Sequence, residues 1–270
     1  MAIENNEVSI STHNGGQVAF FNSSWYNHCH ESGVFIMINI LFICHGNICR
    51  SPTAEFVMKH LVKRAGLENE FHIASAATHT DELGEGVYPP SKQKMAENGI
   101  DCSGKVARLM RPDDYEKYDL LIGMDDENQI FMKRMYSPDT ENKLKNMMDY
   151  AGKIGASVAD PWYTRDFELT WQDINAACRG LLEELTGTVT IDFSKACDRK
   201  ALYAQLREKM DWQDWYGENL DALSDVLTGL PHKGSRFLFI MPKNGDCELF
   251  DYAEKIIAEF EEAGKTVVKA

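Results

Sequence analysis

Cys44 and Arg50 bracket the loop Cys44-His45-Gly46-Asn47-Ile48-Cys49-Arg50-Ser51. A thiol and a guanidinium at that spacing suit nucleophilic chemistry on a bound anion. The loop follows an apolar β-type run and ends at Ser51-Pro52, where proline fits the first turn of a helix. At such a junction backbone N–H groups point into the loop and the helix dipole adds positive potential, so a dianionic phosphate fits the cradle. Arg50 offers a planar fork for two phosphate oxygens. The same field stabilises negative charge on the Cys44 sulfur and arms it as a nucleophile. Gly46 and Asn47 tolerate the left-handed backbone that a tight loop needs, and Ser51 can donate a hydrogen bond to the sulfur.

The elements that must position this loop alternate. Ile38–Ile43 reads as a strand, 52–65 as a helix, His72–Ala77 as a strand and Ser91–Asn98 as a helix closed by Gly99. Tyr118–Gly123 reads as a third strand, Glu127–Met135 as a helix, Asn146–Tyr150 as a short fourth strand, and Trp171–Leu185 as a long helix ended by Gly187. Strands alternating with helices imply βαβ units and a parallel sheet. A second unit follows: strand Val189–Phe193, helices Arg199–Met210 and Leu220–Leu227, strand Phe237–Met241, helix Leu249–Ala263 and strand Thr266–Val268. The expected organisation is an N-terminal extension over 1–36, poorly ordered, then an α/β domain over 37–187 and a smaller α/β domain over 188–270.

Composition narrows the function. The formal net charge of -14 argues against a nucleic-acid binder, which wants a basic face, and against an anionic membrane surface. The longest apolar run, Val34–Cys44, is broken by Asn39 and falls short of the roughly 20 residues a bilayer span needs. Residues 1–20 are polar and carry no signal-peptide pattern. Seven cysteines, an odd number, suggest free thiols in a reducing cytoplasm. The histidines show no metal-ligand spacing, and His28 and His30 around Cys29 read as a solvated tail. No glycine-rich nucleotide fingerprint occurs, so neither cofactor nor metal is expected.

The string Ile43-Cys44-His45-Gly46-Asn47-Ile48-Cys49-Arg50-Ser51-Pro52-Thr53-Ala54-Glu55 resembles the signature of the low-molecular-weight protein tyrosine phosphatases. The resemblance covers residues 37–186 and includes Asp160-Pro161-Trp162-Tyr163 and Ser75-Ala76-Ala77-Thr78. It implies a flavodoxin-like four-stranded parallel sheet with helices on both faces. It also implies hydrolysis of protein phosphotyrosine through a phosphocysteine on Cys44, with Asp160 as acid and then base. Arg50 and the loop amides of His45, Gly46, Asn47, Ile48, Cys49 and Ser51 would hold the phosphoryl oxygens. Trp162 and Tyr163 would wall a slot for an aryl group. Cys49 would form a reversible disulfide with Cys44 under peroxide. The family often has a His supporting the loop Asn; here the stretch reads Gly104-Lys105-Val106-Ala107-Arg108, so support is expected from Ser75 or another group. Arsenate reductases share loop and fold but need resolving cysteines at short spacing, whereas Cys102 and Cys178 are far apart.

The second unit resembles barstar, the intracellular ribonuclease inhibitor. That resemblance makes Asp221 and Asp225, four apart on one helix face, the carboxylates presented to a basic ribonuclease-like partner. Trp215 would be an aromatic contact and Glu254 a further acidic one. Ser224 stands where the family often has Trp, which removes a large interface anchor. Two readings follow: a phosphatase fused to an acidic protein-binding domain, or an inhibitor whose phosphatase domain is vestigial.

Overall fold

The computed structural model describes Ser23, Tyr26 and residues 37–210, 217–229, 236–242 and 247–270. The expectation for the rest of residues 1–36, and the contact role of Trp215, lie outside the described residues. Tyr26 itself is buried and its hydroxyl donates to Glu70 Oε2 at 2.5 Å.

The first sheet is built outward from β1 (Ile38–Cys44). Its apolar run from Ile40 to Cys44 suits a strand with neighbours on both edges and cover on both faces. β1 pairs in parallel with β2 (Phe71–Ala77) on one edge and with β3 (Leu120–Gly123) on the other. β4 (Leu144–Asn146) adds in parallel to β3, giving the order β2-β1-β3-β4. Chain direction along the sheet therefore reverses at β1, and in open α/β sheets the crevice beyond the carboxyl ends at such a switch point is where ligands bind. Cys44 is the last residue of β1.

Helix α1 (Arg50–Arg64) returns across the sheet and buries Ala54, Val57, Met58, Leu61 and Val62 in the main core. Helices α2 (Pro89–Glu97), α3 (Asp114–Lys117), α4 (Asp126–Met135), α5 (Pro161–Thr164) and α6 (Phe167–Thr186) complete this unit. Two expectations need correction. Strand four does not run over Asn146–Tyr150: β4 ends at Asn146 and Met147–Ala151 is a 3-10 helix. Asn146 caps that turn through Oδ1, which accepts from Met148 N–H, and burial of Met147 and Met148 supplied the apolar run read as a strand. The long helix starts at Phe167 rather than Trp171, because Asp166 Oδ1 accepts from Leu169 N–H at 2.8 Å and caps it. Gly180 lets this helix lie against the 3-10 turn, since a Cβ there would stand 1.8 Å from Tyr150 O.

Gly187, at φ +69°, ends α6, and β5 (Thr188–Asp192) begins at once. β5, β6 (Arg236–Ile240) and β7 (Thr266–Lys269) form a second parallel sheet in that order. Helices α7 (Arg199–Met210), α8 (Leu220–Gly229) and α9 (Cys247–Glu262) belong to this unit. Its separate core includes Phe193, Phe237, Phe239, Ile256 and Phe260. Arg179 pairs with Asp192 at 2.5 Å, and Arg236 Nη2 donates to Ala65 O at 2.6 Å, linking the two units.

Candidate active site

The loop after β1 is closed by a chain of side-chain hydrogen bonds. Asn47 sits at φ +58°, a left-handed conformation that asparagine adopts more readily than most residues. Its Nδ2 donates to Ser51 Oγ at 2.8 Å and to Ser75 Oγ at 2.7 Å, and its Oδ1 accepts from Arg108 N–H at 3.2 Å. Ser75 Oγ in turn donates to Glu55 Oε2 at 2.6 Å. Direction matters here. An amide NH₂ only donates, so Ser51 Oγ accepts from Asn47, which leaves its proton for Cys44 Sγ at 3.0 Å or for Ala76 O at 3.5 Å. The orientation of the Ser51 hydroxyl beside the sulfur is thus set by Asn47, two groups from Cys44.

Glu55 anchors the far end of this chain. It is 4% exposed and is held by Lys105 at 2.8 Å and Lys59 at 2.5 Å. Burial pushes its carboxyl pKa up, but Lys105 and the hydrogen bonds from Lys105, Lys59 and Ser75 outweigh it, leaving it below the ordinary value. Lys105 Nζ also donates to Ser75 O at 3.2 Å. The residue that stands near the family's usual His therefore still supports the loop, one step removed. Ser75 lies where the sequence expectation put it, directly beside Asn47.

Arg50 is 3% exposed and its fork is split between two carboxylates: Nη1 to Asp125 Oδ2 and Nη2 to Asp160 Oδ2, both at 2.5 Å. Asp125 follows the carboxyl end of β3, and its Oδ1 also caps α4 by accepting from Asn128 N–H at 2.8 Å. Asp160 caps α5, accepting from Trp162 N–H at 2.9 Å. Arg50 and Asp160 are thus brought together across 110 residues. Cys49 is buried, and burial pushes its thiol pKa up to about 12.

Above the loop is a cavity of about 590 Å³, lined by Cys44, Arg50, Asp125, Asp160, Trp162 and Tyr163 among others. Trp162 is 45% exposed and meets Tyr88 edge-to-face at 5.7 Å, whereas Tyr163 is 82% exposed. Tyr88 and the Arg165 guanidinium, 5.4 Å from the ring centroid, flank Trp162, while Tyr163 stands exposed at the rim. Sequence reasoning missed Asp125, Glu55 and Tyr88. Asp125 was visible only as a helix cap before α4, and Glu55 only as part of the motif string.

Among the second unit's expected interface residues, Asp221 and Asp225 are exposed on α8. Glu254 is half-buried on α9 and accepts from Lys269 Nζ at 2.6 Å. Nearby Glu218 pairs with Arg207 at 2.9 Å.

A parallel α/β sheet that presents a Cys-x5-Arg loop at its switch point is the arrangement of the cysteine-dependent phosphatases, shared with the arsenate reductases, and the family match separates the two. Residues 39–190 match the family described as low molecular weight phosphotyrosine protein phosphatase, and the chain belongs to that family. Residues 186–268 match the family described as barstar (barnase inhibitor). The chain is 33% identical over 150 residues to the low molecular weight protein-tyrosine-phosphatase YfkJ of Bacillus subtilis, covering 55% of this chain and 96% of that protein. It is also 33% identical to the low molecular weight phosphotyrosine protein phosphatase 2 of Drosophila melanogaster, over 54% of this chain and 91% of that one. The crystal structure of YfkJ superposes with a TM-score of 0.52 at 34% identity, covering 54% of this chain and 92% of YfkJ. Among the described residues no helix is long and apolar enough to cross a membrane.

Proposed function

We propose that residues 37–187 form a domain that hydrolyses protein phosphotyrosine with Cys44 as nucleophile. The observation that carries this reading is the hydrogen-bonded path Glu55–Ser75–Asn47–Ser51–Cys44, which holds the Ser51 hydroxyl 3.0 Å from the sulfur. The sulfur attacks phosphorus and the bond from phosphorus to the aryl oxygen breaks. Asp160, protonated, gives its proton to the leaving phenolate. As carboxylate it then takes a proton from water, whose oxygen attacks the phosphocysteine and releases inorganic phosphate and the thiolate. Arg50 and the loop amides stabilise the equatorial oxygens throughout. Trp162, in edge contact with Tyr88 and with Arg165 over its ring, walls the slot for the aryl group.

The test is hydrolysis of phosphotyrosine, phosphoserine and phosphoarginine peptides by the wild type and Cys44→Ser. Phosphotyrosine turnover that disappears in the variant supports the reading; undiminished turnover overturns it. Among the described residues Cys102 and Cys178 are buried and the exposed thiol, Cys197, lies in the second unit, which weighs against arsenate reduction by a relay of resolving cysteines. The free cysteines among the described residues fit a reducing compartment, the cytoplasm.

For residues 188–270 the proposal is a protein-binding domain that presents Asp221 and Asp225 to a basic, ribonuclease-like partner. Both carboxylates are exposed on one helix, whereas Glu254 is engaged with Lys269 and contributes less. Binding of a barnase-type ribonuclease that is lost in Asp221→Ala/Asp225→Ala supports this. Binding unchanged by that pair of substitutions removes α8 as the contact.

A further inference from the structure

The order β2-β1-β3 sets three loops side by side above the cavity, and each contributes a metal-ligand residue type. His45 is the first loop residue after β1, His79 follows the end of β2, and Glu127 lies in the first turn of α4. One ligand atom from each of the three lies within 4.8 Å of the other two. The backbone fixes the first two together, since His79 N–H donates to His45 O at 3.0 Å. The imidazoles stack at 3.8 Å between centroids, and Phe131 packs edge-on against His79 at 4.4 Å.

The outer partners of these rings are arranged as they are around metal-bound histidines. Asp81 Oδ2 lies 3.1 Å from His45 Nε2. A carboxylate there accepts the ring proton and leaves Nδ1 with its lone pair; Nδ1 faces Glu127 Oε2 at 3.7 Å. Thr78 Oγ1 lies 2.8 Å from His79 Nδ1, and by accepting from it leaves Nε2 free to ligate. Histidine ligands commonly give their second ring N–H to such an oxygen, which fixes the tautomer and raises ligand basicity. We propose that His45, His79 and Glu127 form a Zn²⁺ site at the mouth of the phosphatase cavity. Two imidazoles and one carboxylate suit Zn²⁺ and are a poor set for Mg²⁺ or Ca²⁺, which prefer oxygen.

Zinc bonds to nitrogen and oxygen are about 2.0–2.2 Å, so tetrahedral ligands stand about 3.4 Å apart. The rings now stack at 12°, so their in-plane lone pairs run parallel; ligation therefore needs one imidazole to turn by tens of degrees as well as closure by roughly an ångström, and Glu127, with more than half its side chain exposed, is free to follow. Three protein ligands leave a fourth position open. His45 and Glu127 also line the cavity, so the ion would stand beside the entrance to Cys44 and compete with substrate for it. That consequence rests on the phosphatase reading; metal binding does not.

The experiment titrates Zn²⁺ alone into the full-length Cys44→Ser protein by calorimetry, which removes the thiolate as a ligand and needs no activity. One saturable site is expected, with affinity falling at least about tenfold in Cys44→Ser/His79→Gln and in Cys44→Ser/Glu127→Gln. Mg²⁺ should give no such site. In the wild type, free Zn²⁺ should raise KM for an aryl phosphate, and His79→Gln, with its thermal melt unchanged, should be relieved of that rise. No saturable binding to Cys44→Ser, or affinity insensitive to both substitutions, overturns the proposal. Inhibition of the wild type undiminished in His79→Gln overturns the inhibitory role and puts the inhibiting ion on the thiolate. A wild type without phosphatase activity would refute the function above while leaving the calorimetric result to stand alone.

Discussion

Arg50 Nη2 lies 2.5 Å from Asp160 Oδ2, so the group proposed to bind phosphate and the group proposed to move the proton are partners of one another. A phosphoryl dianion entering the loop competes with the Asp160 carboxylate for one arm of the guanidinium. The protonated acid, which the first chemical step requires, gives up that arm most readily. Phosphate binding and arming of the acid are therefore coupled.

The coupling gives Asp160→Asn a split phenotype. Loss of the proton donor should lower kcat by about 10² or more. Removal of the competing charge should at the same time tighten inhibition by inorganic phosphate. Initial rates against phosphate concentration check both, and weaker phosphate binding in the variant would contradict the competition.

Asp125→Ala removes two contacts at once. The helix cap on Asn128 N–H is lost, at a cost of about 1 kcal/mol in stability, and Arg50 Nη1 loses its partner. Urea unfolding should report the first. A rise in KM with a smaller change in kcat should report the second, because the fork is then less well held for phosphate.

Glu55→Gln tests the support layer through pH. The folded carboxyl titrates below its ordinary value of 4.5. A depressed pKa stabilises the fold above the unfolded value, and that gain is lost as pH falls through the lower, folded one. The stability difference between wild type and Glu55→Gln, on the order of 3 kcal/mol for a broken buried pair, should thus be full at neutral pH and shrink in acid below 4.5. Denaturant melts at stepped pH measure it; a difference independent of pH would remove Glu55 as the anchor.

Peroxide treatment tests Cys49. Oxidation of the Cys44 thiolate to sulfenic acid, with water leaving, allows the Cys49 thiol to condense and expel a second water, forming the disulfide. With its pKa pushed up to about 12 by burial, Cys49 is a slow resolving thiol at neutral pH, so disulfide formation should quicken as pH rises. Activity recovered by thiol reductant after peroxide should fall in Cys49→Ser relative to wild type. Equal recovery would assign Cys49 to packing alone.

The loop string and the order of elements were legible in the sequence because they are local. A β-type run, a proline at a helix start and Cys-x5-Arg need no partner to be recognised. Asp160 and Ser75 were legible as well, through motifs in fixed order. Asn146–Tyr150 was misread because burial, not strand pairing, made it apolar. The acidic face of α8 was legible from four-residue spacing.

Only the tertiary structure decided the rest. Asp125 reaches Arg50 because β3 lies next to β1, and a cap residue gives no local sign of a second duty. Lys105, near the position of the missing His, supports the loop by reaching Glu55 and Ser75 from another loop. His45 and His79, scattered in the sequence, stack because parallel pairing sets the ends of β1 and β2 side by side. Short-range spacing encodes which chemistry a loop can do; contacts between strand ends, set by topology, decide which distant side chains hold, charge and gate it.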